Sequence, residues 1–129
     1  MNPVIHFEMP AENKQRMSDF YTKAFGWQTQ LLGEEMNGYV LVTTTKSDET
    51  GRSIAPGAIN GGFYQKTEDP LTHGTSVVIS VENIQDHMKK VTDAGGKIIG
   101  EPMMLPGVGM WLSFYDTEDN RVSMLQPSM

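Results

Sequence analysis

The sequence predicts an α+β fold: two βαβββ modules forming a curved, mostly antiparallel sheet with the helices on its outer face. Three observations carry that expectation. The chain repeats itself about seventy residues apart, and a repeat sets architecture before any motif does. His6-Phe7-Glu8-Met9-Pro10-Ala11-Glu12-Asn13 answers to Ser76-Val77-Val78-Ile79-Ser80-Val81-Glu82-Asn83, with Gly26 and Gly96 at the same offset. Each copy opens on an alternating strand pattern and passes into a helical one. Each helix carries an apolar stripe that needs a partner, and the apolar side of the strand before it supplies one.

Along the chain, Ile5, Phe7 and Met9 alternate with Val4, His6 and Glu8, which predicts a half-buried strand over 4–9. Pro10 is expected to end it. Met17, Phe20, Tyr21, Ala24 and Phe25 predict an amphipathic helix over 13–25, closed by Gly26. Strands are expected at 27–32 and 39–45 around a turn at 34–38. Residues 46–56 are polar and turn-rich and read as a loop. A strand at about 58–65 and a linker at 66–73 complete module one, about 3–66. Module two, about 74–127, repeats the order: a strand at 75–81, then a helix capped by Asn83 with Asp86 in its first turn. Its stripe is Ile84, Met88 and Val91, and Gly95-Gly96 stop it. Strands follow at 97–101, 109–115 and 121–126, with a tight turn over Asp116–Asn120. Asn37-Gly38-Tyr39 also parallels Val108-Gly109-Met110.

Composition narrows the function classes. The 129 residues fit a single domain. There is no cysteine, which excludes disulfides, thiolate zinc sites and thiol nucleophiles. The net charge is -6 with scattered basic residues, which argues against nucleic-acid and anionic-membrane partners. No apolar run reaches the roughly 20 residues that span a bilayer. No signal peptide is visible, and the chain is expected in the cytoplasm. Ten methionines suit adaptable apolar pockets, though most methionines are core filler. Phosphate-loop spacing, a nucleophile elbow and a dinucleotide fingerprint are absent.

The strand face opposite the helices carries His6, Glu8, Ser76, Val78 and Ser80, joined by Asn60, Gly62 and Tyr64 and by Arg121, Ser123 and Leu125. Small, polar and aromatic groups mixed in this way suit a ligand-binding concavity better than a closed core. Trp27, Tyr39, Tyr64, Met110 and Trp111 are candidates to line it, Trp111 foremost. The 46–56 loop and the Met103–Gly107 segment are placed to close over it.

Val4-Ile5-His6-Phe7-Glu8-Met9-Pro10, Phe20-Tyr21 with Phe25-Gly26-Trp27, and Phe114-Tyr115-Asp116 through Asn120-Arg121-Val122 together resemble the vicinal oxygen chelate superfamily. That group includes glyoxalase I, bleomycin- and fosfomycin-resistance proteins and extradiol dioxygenases. The resemblance spans essentially the whole chain. The last segment departs from the family's usual Asp-Pro-x-Gly-Asn, with Thr117 and Asp119 in place of Pro and Gly. The resemblance implies a divalent cation held by His and Glu from the first and last strand of each module. By register His6 matches one such position, while Asn60, Ser76 and Ser123 hold the other three. One histidine among neutral, weak ligands argues against the metal.

These readings set the expectations. The chain is a glyoxalase/bleomycin-resistance-like protein binding a small, partly apolar molecule, without metal or other cofactor. His6, Glu8, Asn60, Ser76, Trp111 and Ser123 are the ligand-binding candidates, and no residue is assigned a catalytic role. His73 stands three residues short of Ser76, and His87 is expected to be exposed on its helix. The family commonly dimerises, so a homodimer is expected. Two rivals remain: a metal-dependent lyase, isomerase or dioxygenase using His6, and a non-catalytic regulatory or scaffold protein. Whether the chain is an enzyme is left open between them.

Overall fold

In the computed structural model, which describes residues 1–49 and 53–128, the chain divides into two compact units. One runs over Ile5–Thr75. The other runs from Ser76 onward and takes in Met1–Val4. Both are βαβββ, so the fold class is α+β as the repeat predicts.

The first unit holds β1 (Val4–Ala11), α1 (Lys14–Phe25), β2 (Gln28–Leu31), β3 (Val40–Thr43) and β4 (Asn60–Gln65). Its strand order is β2-β3-β4-β1, parallel between β1 and β4 and antiparallel elsewhere. Pro10 does not end β1, which runs on through it to Ala11 beside Tyr64 and Gln65. Asn13 caps α1 by accepting from the Arg16 N–H at 2.9 Å, and Gly26 closes it in the left-handed region at φ 73°. Ala11, Val40, Val42 and Phe63 form the core, with Phe7, Met9, Met17, Tyr21 and Trp27 packed against it. The inward stripe of α1 is therefore narrower than its spacing predicts. Met17 and Tyr21 face the core, whereas Phe20 and Phe25 remain 57% and 64% exposed and Ala24 is exposed as well.

The second unit holds β5 (Ser76–Ser80), α2 (Ile84–Asp93), β6 (Lys97–Leu105), β7 (Gly109–Tyr115) and β8 (Arg121–Pro127). Its order is β5-β8-β7-β6, with β5 and β8 parallel. The N-terminal residues belong here: the Ser80 N–H donates to the Pro3 carbonyl, and the Asn2 amide donates to the Ser80 carbonyl. Asn83 repeats the cap, accepting from Asp86 N at 2.9 Å. Val81, Ile84, Leu112 and Met124 make this unit's core, with Met88, Val91, Ile98, Met110 and Phe114 against it. Strand β6 is longer than its pattern suggests. A register shift between Ile99 and Met103 absorbs Gly100-Glu101-Pro102 and lets pairing continue to Leu105. Met103, Met104 and Leu105 are thus strand residues and not part of a closing loop. Of the polar stretch 46–56, residues 50–52 lie outside the described residues. The rest is tied by a bridge between Ser47 and Ser53. No helix among the described residues is long and apolar enough to cross a membrane.

Candidate functional site

Strand alternation on β1 turns Phe7 and Met9 toward α1 and puts His6 and Glu8 on the other face. Register places His6 beside Asn60, Phe7 beside Gly61 and Glu8 beside Gly62. The two adjacent glycines of β4 each make room for a ring. A Cβ on Gly61 would fall against the Phe7 ring on the helix side, and one on Gly62 would overlap the phenol of Tyr39 on the opposite side. Tyr39 is delivered by the turn before β3, where Asn37 and Gly38 adopt positive φ and Lys14 Nζ donates to the Gly38 carbonyl at 2.7 Å.

With Gly62 leaving space beneath it, the Tyr39 hydroxyl stands between two polar side chains. It lies 3.1 Å from His6 Nε2 and donates to Glu8 Oε2 at 3.2 Å. The Glu8 side chain is buried and His6 and Tyr39 are half-buried. Burial pushes the His6 pKa down from 6.5 to about 4, so the imidazole is neutral at physiological pH. Burial, reinforced by the Glu8 charge, the hydrogen bond to Glu8 and neighbouring Tyr64, pushes the Tyr39 phenol above its ordinary range. The phenol therefore acts as a hydrogen-bond donor and not as a phenolate. Tyr64, on the same face, donates to the Gly74 carbonyl.

Asn60 lies next to His6 in register, but its amide is committed elsewhere. Its Oδ1 accepts from the Thr44 and Thr45 N–H groups at 2.8 and 3.1 Å, and its Nδ2 donates to Ser47 Oγ at 2.7 Å. Asn60 anchors the base of the 46–56 loop. His73 sits at the end of a short 3-10 turn with Nε2 2.6 Å from the Thr67 carbonyl. His87 is half-buried on α2, contrary to the exposure expected for it.

In the second unit, Ser76 is buried and donates to the Arg121 carbonyl at 3.0 Å. Ser123 is fully buried and lies 2.9 Å from Ser113 Oγ, to which Arg121 Nη1 donates at 3.5 Å. Ser123 pairs with Val78, whereas Asn60 pairs with His6, so the duplicated frames are out of step by two residues at these positions. Trp111 is half-buried, pairs with Met103 and Leu125, and shares a face with Ser113 and Ser123. Met110 and Trp27 face the helices instead. Met110 packs on the second core, and Trp27 stacks on Tyr21 with centroids 4.5 Å apart.

The structure thus brings His6 and Glu8 together through Tyr39, which the sequence offers only as one aromatic among several. The signal for it is the glycine pair in β4, since adjacent glycines in a strand mark close approach from both faces. The donors at the family's chelating positions do not fit a divalent cation. His6 Nε2 faces a phenol, Asn60 Oδ1 holds two backbone N–H groups, Ser76 Oγ donates to the Arg121 carbonyl, and Ser123 Oγ is paired with Ser113 Oγ. Among the described residues, no group of three or more His, Asp or Glu is placed to hold a metal. A stable site needs several nitrogen or carboxylate donors.

Comparison with known proteins gives a consistent picture. A glyoxylase-like domain-containing protein of Didymella fabae is 31% identical over 116 residues, covering 88% of this chain and 84% of that one. A hypothetical protein from Bacillus halodurans superposes with a TM-score of 0.69 at 13% identity, covering 99% and 96% of the two chains. A Streptomyces coelicolor methylmalonyl-CoA epimerase variant, solved with 2-nitronate-propionyl-CoA, gives 0.69 at 12% identity over 97% and 94%. These two likenesses establish shared fold. The model of the Glyoxalase/Bleomycin resistance protein/Dioxygenase superfamily matches residues 4–124, and with that match the chain belongs to this superfamily.

Proposed function

We propose that this protein binds a small, partly apolar molecule, without a metal, on the strand face that carries His6, Tyr39 and Glu8. The observation that supports the reading best is the partly buried chain of hydrogen bonds through the Tyr39 hydroxyl. Burying polar groups costs stability, so three of them gathered on one strand face suit recognition better than packing. Leu41, partly exposed and paired with Gly62, adds apolar area beside them. In the second unit Trp111 offers stacking area on its own strand face. Asn60, Ser76 and Ser123 act here by holding backbone and neighbours in place.

Elemental analysis of the purified protein tests the metal-free part, and zinc, nickel, manganese and iron are all expected well below one per chain. A thermal-shift screen tests binding, because a ligand of the native state raises Tm by mass action. Hits are expected with the wild type and not with His6→Ala. Stoichiometric metal lost on His6→Ala would overturn the reading in favour of a metal-dependent lyase, isomerase or dioxygenase, for which His6 stands at a chelating position of the family. A screen with no hit would favour a regulatory or scaffold role. We also propose a cytoplasmic homodimer: β2 and β6 end their strand orders, and such edges need covering. Light scattering on the same sample checks the mass.

A further inference from the structure

The Tyr39 hydroxyl has one proton and, among the described residues, two hydrogen-bond partners, and that constraint carries a consequence for His6. If the phenol gives its proton to the Glu8 carboxylate, as the 3.2 Å contact is arranged, it can only accept from His6. The 3.1 Å contact is to Nε2, so Nε2 must then carry the imidazole proton. A neutral imidazole has a single N–H, which leaves Nδ1 as a bare acceptor. No hydrogen bond to Nδ1 is formed among the described residues, so its lone pair is uncommitted among them.

We propose that the chain of hydrogen bonds runs one way, from His6 Nε2–H through the Tyr39 hydroxyl to Glu8, and that His6 thereby offers Nδ1 to a ligand bearing a hydroxyl, amine or amide donor. Tyr39 is a positioning residue: it fixes the tautomer and leaves recognition to His6. Neutrality of the imidazole agrees with this, because a protonated ring would donate from both nitrogens and select an anion. The ligand class rests on the binding face proposed above, whereas the direction of the chain does not.

Two-bond 1H–15N correlation of histidine-labelled protein at neutral pH reads the direction. His6 is assigned by the signal lost in His6→Gln, which separates it from His73 and His87. The expected pattern is protonated Nε2 and pyridine-type Nδ1, without the exchange between tautomers that free imidazole shows. Tyr39→Phe should restore that exchange. A merely structural role for the phenol would leave the pattern unmoved, and that result overturns the proposal. Protonated Nδ1 in the wild type also overturns it, since the proton would then sit on Glu8 and the chain would run backwards. Should Tyr39→Phe not fold, the wild-type pattern still decides. Phenol and its methyl ether anisole then test the ligand class. Phenol is expected to bind roughly fivefold tighter and to shift Nδ1, in keeping with one added hydrogen bond. Equal affinity overturns the donor class. Binding of neither probe, with the tautomer as expected, counts against the binding face and leaves the direction of the chain standing.

Discussion

His6 is neutral in the fold because burial holds its pKa near 4, against 6.5 for the exposed group. Between those two values the unfolded chain binds a proton that the native chain does not. Stability therefore falls as pH drops through that window and is unaffected by His6 above it. The shift sets a ceiling of about 3 kcal/mol on the effect. Urea unfolding at neutral pH and again near pH 4 should show the wild type losing more stability than His6→Gln. Equal losses would mean that burial does not govern this imidazole. The glycine below Tyr39 yields a second prediction. Gly62→Ala places a methyl group where the phenol lies and should cost about 1–3 kcal/mol by overpacking. In a Tyr39→Ala background the same substitution should cost much less, because the ring it meets has gone. An unchanged cost in the double variant would show that strand backbone, and not the phenol, objects to the side chain.

The two helices show how an identical local signal can be read correctly and still hide a difference. Glu12-Asn13 and Glu82-Asn83 are both helix starts, and both asparagines accept from the N–H three residues on. Asn13→Ala and Asn83→Ala should each lower stability by about 1 kcal/mol, read as a shift in the denaturation midpoint at unchanged slope. The glycines that follow are equivalent in position only. Gly26 is needed for its positive φ, with open space around it, whereas the left-handed turn after α2 falls on Gly95. Gly96 is needed for closeness, since a Cβ there would stand 2.8 Å from the Tyr115 carbonyl and from Val91. The spacing on α1 misleads for a related reason. Five apolar residues at helical spacing make a broad arc, and of these five only Met17 and Tyr21 pack on the core beneath, leaving Phe20 and Phe25 in solvent. Periodicity states which residues share a face; the width of the partner surface decides how many are buried.

At the level of the whole chain, the duplicated strand-helix-strand order was legible because it rests on local patterns repeated at a fixed spacing. The face carrying His6 and Glu8 was legible for the same reason, through strand alternation. The partnership of both with Tyr39 was not, since it spans more than thirty residues and depends on which strand lies beside which. Nor was the two-residue offset that pairs Ser123 with Val78, because register is set by strand pairing and loop length and not by the repeat. What the repeat does dictate is a separate core in each unit, and the two clusters share no residue. Phe63 and Leu112 are fully buried, one in each. Phe63→Leu and Leu112→Val should each cost about 1 kcal/mol, a loss small enough for the double variant to stay folded. With no common packing partner, their effects should add within about 0.5 kcal/mol when the double variant is unfolded by denaturant. A departure from the sum of more than about 1 kcal/mol would show that the two clusters respond as one core, and that duplication of the chain did not duplicate its packing.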